Sequence, residues 1–171
     1  MSTPRLVKTF LILAIVVANI GCDQVSKKMV RQNIKPHETI HLLSNHLTVT
    51  RVENTGAFLS AGDSLPKTAK NILLSLLPVI ALVLGTIFIF SKQNLPTSML
   101  AGFCFVIGGG IGNVFDRIVY GSVTDFLHIN LGGFQTGVFN LADMSIMLGT
   151  LIILVQAFRK KQLPHPPTPS P

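Results

Sequence analysis

Charged and aromatic residues are scarce in this sequence. Only 12% of its 171 residues are charged, seven are acidic, tryptophan is absent and tyrosine occurs once, whereas 48% are hydrophobic. A soluble domain carries about 25% charged residues, so this chain has too little charge to cover a surface that faces water. The net charge of +7 comes from basic residues between and beside apolar runs, not from a polar domain rich in basic and aromatic residues. The composition therefore favours a membrane protein and excludes a nucleic-acid binder.

Several enzyme signatures are also missing. The two cysteines, Cys22 and Cys104, are too few for a disulfide framework or a cysteine-based metal site. Neither HExxH nor GxSxG occurs, and the run GGGIGN at residues 108–113 is not followed by the Gly-Lys-Ser/Thr of a phosphate-binding loop. His37 and His41 lie in a segment with loop and strand character, which favours positions on the surface. We therefore expect neither a metal nor a cofactor.

Four apolar runs are long enough to cross a bilayer, which takes about 20 mostly apolar residues in a helix. We predict these spans at about residues 7–30, 72–90, 99–115 and 139–158. Pro78 in the second run is tolerable in a membrane helix because neighbouring groups can satisfy the freed carbonyl. An even number of spans puts both termini on one side. Basic residues occur in the loops of both sides, so loop charge leaves the orientation undecided.

Two polar stretches predict structure outside the membrane. Residues 32–68 are polar enough to leave the bilayer, and HLTVTRVEN at 46–54 alternates as a β-strand does. This segment is either an ordinary loop or a small sheet that lies on the bilayer beside a site. The run VTDFLHINLGGFQTGVF at 123–139 has a Gly-Gly turn between two apolar-rich stretches, which predicts a hairpin. The Pro-rich residues 163–171 are expected to be disordered, leaving residues 1–162 as a single domain.

Four aspartates lie inside or at the ends of the apolar runs, namely Asp23, Asp116, Asp125 and Asp143. A carboxylate at the centre of a membrane helix costs about 2.5–3.5 kcal/mol, and such residues mark function more often than structure. Asp143 follows Asn140 by three residues, so both side chains share one face at the start of the fourth span. The alternative interpretation is a polar cap at a helix N-terminus.

The predicted hairpin brings its two ends together, so we expect Asp125 and Asp143 to meet at the membrane surface. Two carboxylates that share a site hold one proton between them. One of them can then activate a water while the other protonates the leaving group, which is the minimum for peptide hydrolysis without a metal. Asp116 competes for the same role. A small transporter or proton-path protein that uses intramembrane aspartates is the alternative function.

Five stretches resemble the motifs of the bacterial lipoprotein signal peptidase family, in the family's order. They are DQVSK at 23–27, NTGAF at 54–58, GNVFDR at 112–117, VTDF at 123–126 and FNLAD at 139–143. The resemblance implies an α-helical polytopic membrane protein with four transmembrane helices, a small extracytoplasmic β-sheet cradle and a hairpin loop. It implies an aspartic endopeptidase of the bacterial inner membrane, with both termini cytoplasmic and the active site toward the extracytoplasmic face. The implied substrates are prolipoproteins, cleaved before a diacylglyceryl-modified cysteine.

The resemblance places the catalytic dyad on Asp125 and Asp143 and assigns substrate-binding or supporting roles to nine more residues. These are Asp23, Lys27, Asn54, Gly56, Asn113, Asp116, Arg117, Asn140 and Ala142. Asp116 is expected to pair with Arg117 or another nearby donor. The three asparagines and Arg117 suit the oxygens of peptide carbonyls and lipid esters. Phe58 departs from the family pattern, which often has a further small residue between the alanine and the aromatic residue, whereas here Phe58 follows Ala57 directly. Membrane lipids are expected as partners, and the chain is expected to be a monomer.

Glycines 108, 109, 110 and 112 allow close approach of another helix, either a substrate helix or one of the protein's own spans. The stretch VVANIGC at 16–22 resembles the lipobox of a lipoprotein precursor. Asn19, however, stands where a lipobox usually has an aliphatic residue, and three more apolar runs follow. Cys22 is therefore interpreted as an unmodified residue of the first span.

Overall fold

The computed structural model describes residues 5–36, 38–56, 66–92 and 94–161. These residues form five α-helices, one π-helical segment and three β-strands. In chain order they are α1 (Arg5–Asn33), β1 (Thr39–Leu42), β2 (Leu47–Asn54), α2 (Lys67–Asn71), the π-helical segment Ile72–Leu76, α3 (Leu77–Ser91), α4 (Thr97–Tyr120), β3 (Val123–Ile129) and α5 (Leu141–Lys161). His37, Phe58 and the predicted tail 163–171 lie outside the described residues.

Four helical stretches are long and apolar enough to cross a membrane. They are Leu6–Asn33, Thr68–Ser91, Thr97–Tyr120 and Leu141–Arg159. The predicted number of spans is confirmed, and α4 continues five residues past its predicted end at 115. Large apolar side chains such as Val83 and Leu151 are 53% and 59% exposed on the outside of the bundle. In a soluble protein such exposure would be costly, whereas in a bilayer these side chains face lipid.

The second span accommodates Pro78 with a local change of helix type. Pro78 occupies the first turn of α3, directly after the π-helical segment. The backbone N–H of Leu77 donates to the carbonyl of Ile72, five residues earlier. A π turn of this kind absorbs an irregularity without breaking the helix, so Thr68–Ser91 remains one helical stretch through Pro78. The tolerance predicted for Pro78 is confirmed.

The glycines of α4 bring this helix into close contact with the other membrane helices. A Cβ atom added to any of the four glycines at positions 108, 109, 110 and 112 would collide with a neighbouring element. The collision partners are Asn19 for Gly108, the carbonyl of Ala142 for Gly109, Leu82 for Gly110 and the carboxylate of Asp23 for Gly112. The glycines therefore pack the protein's own helices, and at these positions no space is left for a substrate helix.

The three strands form an antiparallel sheet in the order β1-β2-β3. A bulge between Val49 and Val52 interrupts the alternation predicted for β2. After β3 the chain turns at Gly132, whose φ is +76°, and returns so that Phe139 bridges Leu127. The predicted hairpin is confirmed. Because α5 starts two residues after Phe139, its N-terminus lies beside β3.

Two apolar clusters hold the elements together. Ile12, Ile89 and Cys104 belong to the first, inside the helix bundle, where Cys104 is a fully buried small residue as predicted. In the second, Phe126 of β3 packs against Val30 and Ile34 at the end of α1. This second cluster fixes the sheet to the bundle beside the predicted dyad. Cys22 is exposed on α1, which continues through it without a break.

We expect Gly102→Ala to destabilise the protein by about 1–3 kcal/mol, as overpacking does. Its Cβ would lie 2.9 Å from the carbonyl oxygen of Gly149, and two backbones cannot yield as a flexible side chain can. Gly85→Ala is the matched control because its Cβ would meet only Ile107, at 3.9 Å. We expect this control to be neutral or more stable by up to about 1 kcal/mol, since alanine favours helix. Thermal unfolding in detergent measures both variants, and equal Tm values would contradict the assignment of close α4–α5 packing.

Candidate active site

Asp143 and Asn140 form a reciprocal cap at the start of α5. The backbone N–H of Asp143 donates to Asn140 Oδ1 at 2.9 Å, and the backbone N–H of Asn140 donates to Asp143 Oδ2 at 3.2 Å. This is the arrangement of a capping box, with asparagine and aspartate in place of the usual residue types. The capping interpretation of these residues is therefore correct. The same cap holds both side chains toward β3.

Asn140 joins the two carboxylates of the predicted dyad. Its Nδ2 group donates to Asp125 Oδ1 at 2.6 Å, while its Oδ1 and its backbone N–H contact Asp143. The structure thus brings the two aspartates together through one residue, Asn140, although they lie 18 positions apart. The hairpin return after β3 produces this approach.

Two further asparagines complete the set of donors around the carboxylates. Asn54 Nδ2 donates to Asp125 Oδ2 at 2.9 Å, and Asn113 Nδ2 donates to Asp143 Oδ1 at 2.8 Å. The sequence analysis assigned these amides to substrate oxygens, whereas the structure gives each of them a carboxylate partner. They come from β2 and α4, so the sheet and the bundle both contribute to the orientation of the pair.

A buried ion cluster lies directly behind these asparagines. Lys27 is fully buried, and its Nζ contacts Asp23 Oδ2 at 2.7 Å, Asn113 Oδ1 at 2.9 Å and Asp116 Oδ2 at 3.2 Å. Arg31 Nη2 lies 2.9 Å from Asp116 Oδ2. Two cations and two carboxylates therefore balance inside the protein, which is the condition under which charges tolerate burial.

The cluster decides between the alternatives expected for Asp116 and adds two residues. Asp116 pairs with Lys27 and Arg31, not with Arg117. Gln24, which the sequence reasoning did not select, donates to both Asp23 and Asp116 at 3.1 Å. Arg31 was also missed, although the four-residue spacing from Asp23 through Lys27 to Arg31 places all three on one helix face. That spacing was the signal that could have identified it.

Ala142 and Asp23 connect α5 to α1. The backbone N–H of Ala142 donates to Asp23 Oδ1 at 3.0 Å, and the Ala142 side chain is fully buried. Asp23 therefore accepts from an N–H in the first turn of α5 that has no carbonyl partner within the helix. The helix dipole favours a negative charge at this end. This contact sets the position of the helix end that carries Asp143.

Arg117 and Gly56 meet at the edge of the site. Arg117 Nη2 donates to the carbonyl of Gly56 at 3.1 Å, and the Gly56 N–H donates to Asn54 Oδ1 at 3.0 Å. Arg117 also borders a polar cavity of about 310 Å³. The cavity is lined by Thr55, Lys70, Asn71, Leu74, Ser75, Arg117 and Gly121.

Further along α3 and α4 lies an apolar groove of about 460 Å³, which includes Val79, Leu82 and Ile118.

Burial of Asp125, which is 3% exposed, raises the pKa of its carboxyl group to about 6. The hydrogen bonds from Asn54 and Asn140 act in the opposite direction, and the Asp143 carboxylate raises this pKa further. Desolvation disfavours the charged form, and so does a second carboxylate nearby. A carboxyl group tuned in this way exchanges a proton near neutral pH, as a general acid or base requires.

In the part of the chain that the structure describes, no group of three or more His, Cys, Asp or Glu side chains is placed to hold a metal ion. The chemistry that the described residues offer is that of paired carboxylates with amide donors. Fold and site together define an α-helical integral membrane protein with a carboxylate pair where the bundle meets a small sheet.

The family model described as signal peptidase (SPase) II matches residues 15–159 of this chain. The chain belongs to the signal peptidase II family, which confirms the resemblance found in its motifs. It is an integral membrane peptidase, and membership of a peptidase family does not favour the transporter alternative. Four apolar helices and this family identity fit a multi-pass protein of the bacterial inner membrane.

Relatives and solved structures support the same assignment. The chain is 34% identical to the lipoprotein signal peptidase of Wigglesworthia glossinidia brevipalpis, over 82% of this chain and 89% of that protein. It is 33% identical to that of Pseudoalteromonas atlantica, over 89% and 90% of the two chains. A bacterial membrane enzyme solved at 2.3 Å resolution matches 89% of this chain and 90% of its own, with a TM-score of 0.79 and 25% identity. A second, solved at 1.9 Å, has a TM-score of 0.77 at 22% identity and shares the fold.

We expect Lys27→Met to cost about 3–5 kcal/mol of stability, because it leaves Asp23 and Asp116 buried with one cation fewer. Lys28→Met is the matched control, since Lys28 is the next residue of the same helix and is exposed. Thermal unfolding of both variants in detergent provides the comparison. A Lys27 variant as stable as the Lys28 variant would show that the cluster does not support the fold.

Proposed function

We propose that this chain is an aspartic endopeptidase that removes the signal peptide from prolipoproteins by cleaving before the diacylglyceryl-modified cysteine. The observation that carries the proposal is that Asn140 contacts both carboxylates: its side-chain amide donates to Asp125, and its backbone N–H donates to Asp143. Two carboxylates held in this way share one proton, because both cannot ionise cheaply at one site. Family membership supplies the class of substrate, and the carboxylate pair supplies the chemistry.

In the proposed reaction the ionised carboxylate takes a proton from water while the oxygen of that water attacks the scissile carbonyl. The neutral carboxyl group donates its proton to the developing oxyanion. As the tetrahedral intermediate collapses, the C–N bond breaks and the leaving amine takes up a proton from the dyad, while a hydroxyl of the intermediate returns its proton to the dyad as the carbonyl re-forms. The pair then again holds one proton. No metal and no covalent intermediate is needed for these steps.

The substrate is amphiphilic, and so is the surface beside the site. Arg117 and Lys70 border the polar cavity, which suits ester and peptide oxygens, since a guanidinium presents several donors in a fixed plane. The apolar groove along α3 and α4 suits an acyl chain or an apolar helix. We place the lipid-modified cysteine of the substrate near this boundary, with its signal segment still in the bilayer.

We place both termini in the cytoplasm and the dyad toward the extracytoplasmic face. The opposite end of the bundle carries Lys8, Lys92 and Arg159, and Lys8 Nζ donates to the carbonyl of Ile89 at 2.8 Å. The dyad end also carries basic residues, among them Arg31 and Arg51. Loop charge therefore does not decide the orientation, and this proposal rests on the resemblance to the family's motifs. We also propose a monomer, because one chain supplies both carboxylates.

Asp125→Asn and Asp143→Asn are expected to reduce cleavage of a lipidated precursor peptide by at least about 10²–10⁴-fold, the usual contribution of a general acid or base. Glu38→Gln, on the exposed part of the sheet region, is the control and should retain activity. The assay uses purified protein with lipidated and unlipidated precursor, followed by mass spectrometry of the products. Normal processing of the lipidated precursor by either aspartate variant would contradict the assignment of Asp125 and Asp143 as the catalytic dyad.

The kcat/KM of the wild type is expected to fall as the pH rises through about 6, the pKa of Asp125, because the dyad then loses its shared proton. Asn54→Ala removes a hydrogen bond that favours the ionised form, so the pKa should rise and this decline should move to higher pH. Asn130→Ala is the matched control, since Asn130 Oδ1 accepts from the N–H of Gly132 at 3.0 Å, as Asn54 Oδ1 does from Gly56. A profile that moves to lower pH, or moves equally in both variants, would contradict the role of Asn54.

A further inference from the structure

The two carboxylates of the dyad lie in different surroundings. Asp125 is 3% exposed on β3, whereas Asp143 is partly exposed in the first turn of α5. We propose that the dyad rests with its proton on Asp125 and its negative charge on Asp143, so that Asp143 activates the water and Asp125 is the acid. This inference rests on the proposed function, in which the pair shares one proton.

The helix end favours the charge on Asp143. Asp143 is the third residue of α5, and its Oδ2 accepts the backbone N–H of Asn140 at 3.2 Å. Free N–H groups and the helix dipole stabilise an anion in this turn. Asp125 belongs to a strand, and a strand offers no such dipole.

Hydrogen-bond donors do not cancel this difference. Each carboxylate accepts two N–H groups: Asp125 from Asn54 and Asn140, and Asp143 from Asn113 and the backbone of Asn140. The donors balance in number, so burial and the helix end decide which carboxylate is charged.

The amides cannot rotate to change this pattern, because the oxygen of each one is already held by another donor. Asn54 Oδ1 accepts from the Gly56 N–H, Asn140 Oδ1 from the Asp143 N–H, and Asn113 Oδ1 from Lys27 Nζ. Each NH₂ group must therefore face a carboxylate.

The surrounding charges act on both carboxylates, and the guanidinium of Arg117 interacts more with Asp143 than with Asp125. The charged groups around the pair are Asp23, Lys27 and Arg31 on α1, Asp116 and Arg117 on α4, and Glu53 on β2. Lys27 and Arg31 are balanced by Asp23 and Asp116, and Glu53 accepts from Ser122 and Thr124. Lys27 contacts the amide of Asn113, which donates to Asp143, so one amide separates this cation from Asp143.

The assignment gives each aspartate one role in the reaction. Asp143 takes a proton from the water as the water oxygen bonds to the scissile carbonyl carbon. Asp125 gives its proton to the carbonyl oxygen. When the C–N bond breaks, the amine receives the proton held by Asp143, and a hydroxyl of the tetrahedral intermediate returns its proton to Asp125 as the carbonyl re-forms. The dyad then has its starting protonation.

The test is a ¹³C NMR titration of the aspartate carboxyl carbons of the full chain in detergent. The sequence contains only five aspartates, and single Asp→Asn variants assign their signals. We compare the midpoint of Asp125 in Asp143→Asn with that of Asp143 in Asp125→Asn, because each variant reports one site without the charge of the other. Asp125 is expected to bind its proton roughly tenfold or more tightly, a difference of about one pH unit. Equal midpoints or the reverse order would overturn the proposal.

The wild type provides a second measurement in case a variant fails to fold. Its upper titration step should appear mainly on the Asp125 signal, and an upper step on the Asp143 signal would equally overturn the assignment. The proposed function is tested separately by cleavage of the lipidated precursor. An active wild type with the reverse titration order rejects only the proton assignment, whereas an inactive wild type rejects the proposed function.

Discussion

The contact on which the rest of this structure depends is that of Lys27 Nζ with Asp23, Asp116 and Asn113. A buried ion pair does not by itself stabilise a fold, since desolvation offsets much of the attraction. Here the pairing does something more specific. Asp23 binds the first turn of α5 through the Ala142 N–H, and Lys27 fixes the amide of Asn113. Helices α1, α4 and α5 are thereby held in the one relative position that presents Asn113 and Asn140 to the carboxylates.

The hairpin after β3 contributes the other half of the site. Phe139 pairs with Leu127, so the chain enters α5 beside the strand that carries Asp125. Asn140 then has two roles, because it caps the start of α5 and also contacts both aspartates. A helix N-terminus needs polar side chains in any case. In this protein the same side chains also hold the proposed dyad. One set of residues therefore both caps the helix and orients the two carboxylates.

Much of this arrangement could be predicted from the sequence, because its signals are local. The four apolar runs predicted the four spans that the structure has. The Gly-Gly turn predicted the hairpin that brings Asp125 to Asp143. What could not be predicted depends on contacts between distant elements. Asp116 was expected to pair with Arg117 or another nearby donor, whereas the cations that reach it come from α1, some 85 to 89 positions away. The bulge in β2 and the orientation of the three amides are likewise set by tertiary contacts, which no periodicity records.

The site also explains how polar chemistry is maintained at the edge of a bilayer. A carboxylate exposed to lipid is costly, yet within the described chain every amide around the dyad has both its oxygen and its nitrogen engaged. Because these groups are satisfied by one another, the pair can be buried deeply enough to raise the pKa of Asp125 without destabilising the helices beside it. Of the two carboxylates, Asp143 is the more exposed, whereas Asp125 is 3% exposed. In the proton assignment proposed above, water therefore reaches the member of the pair that acts as the base.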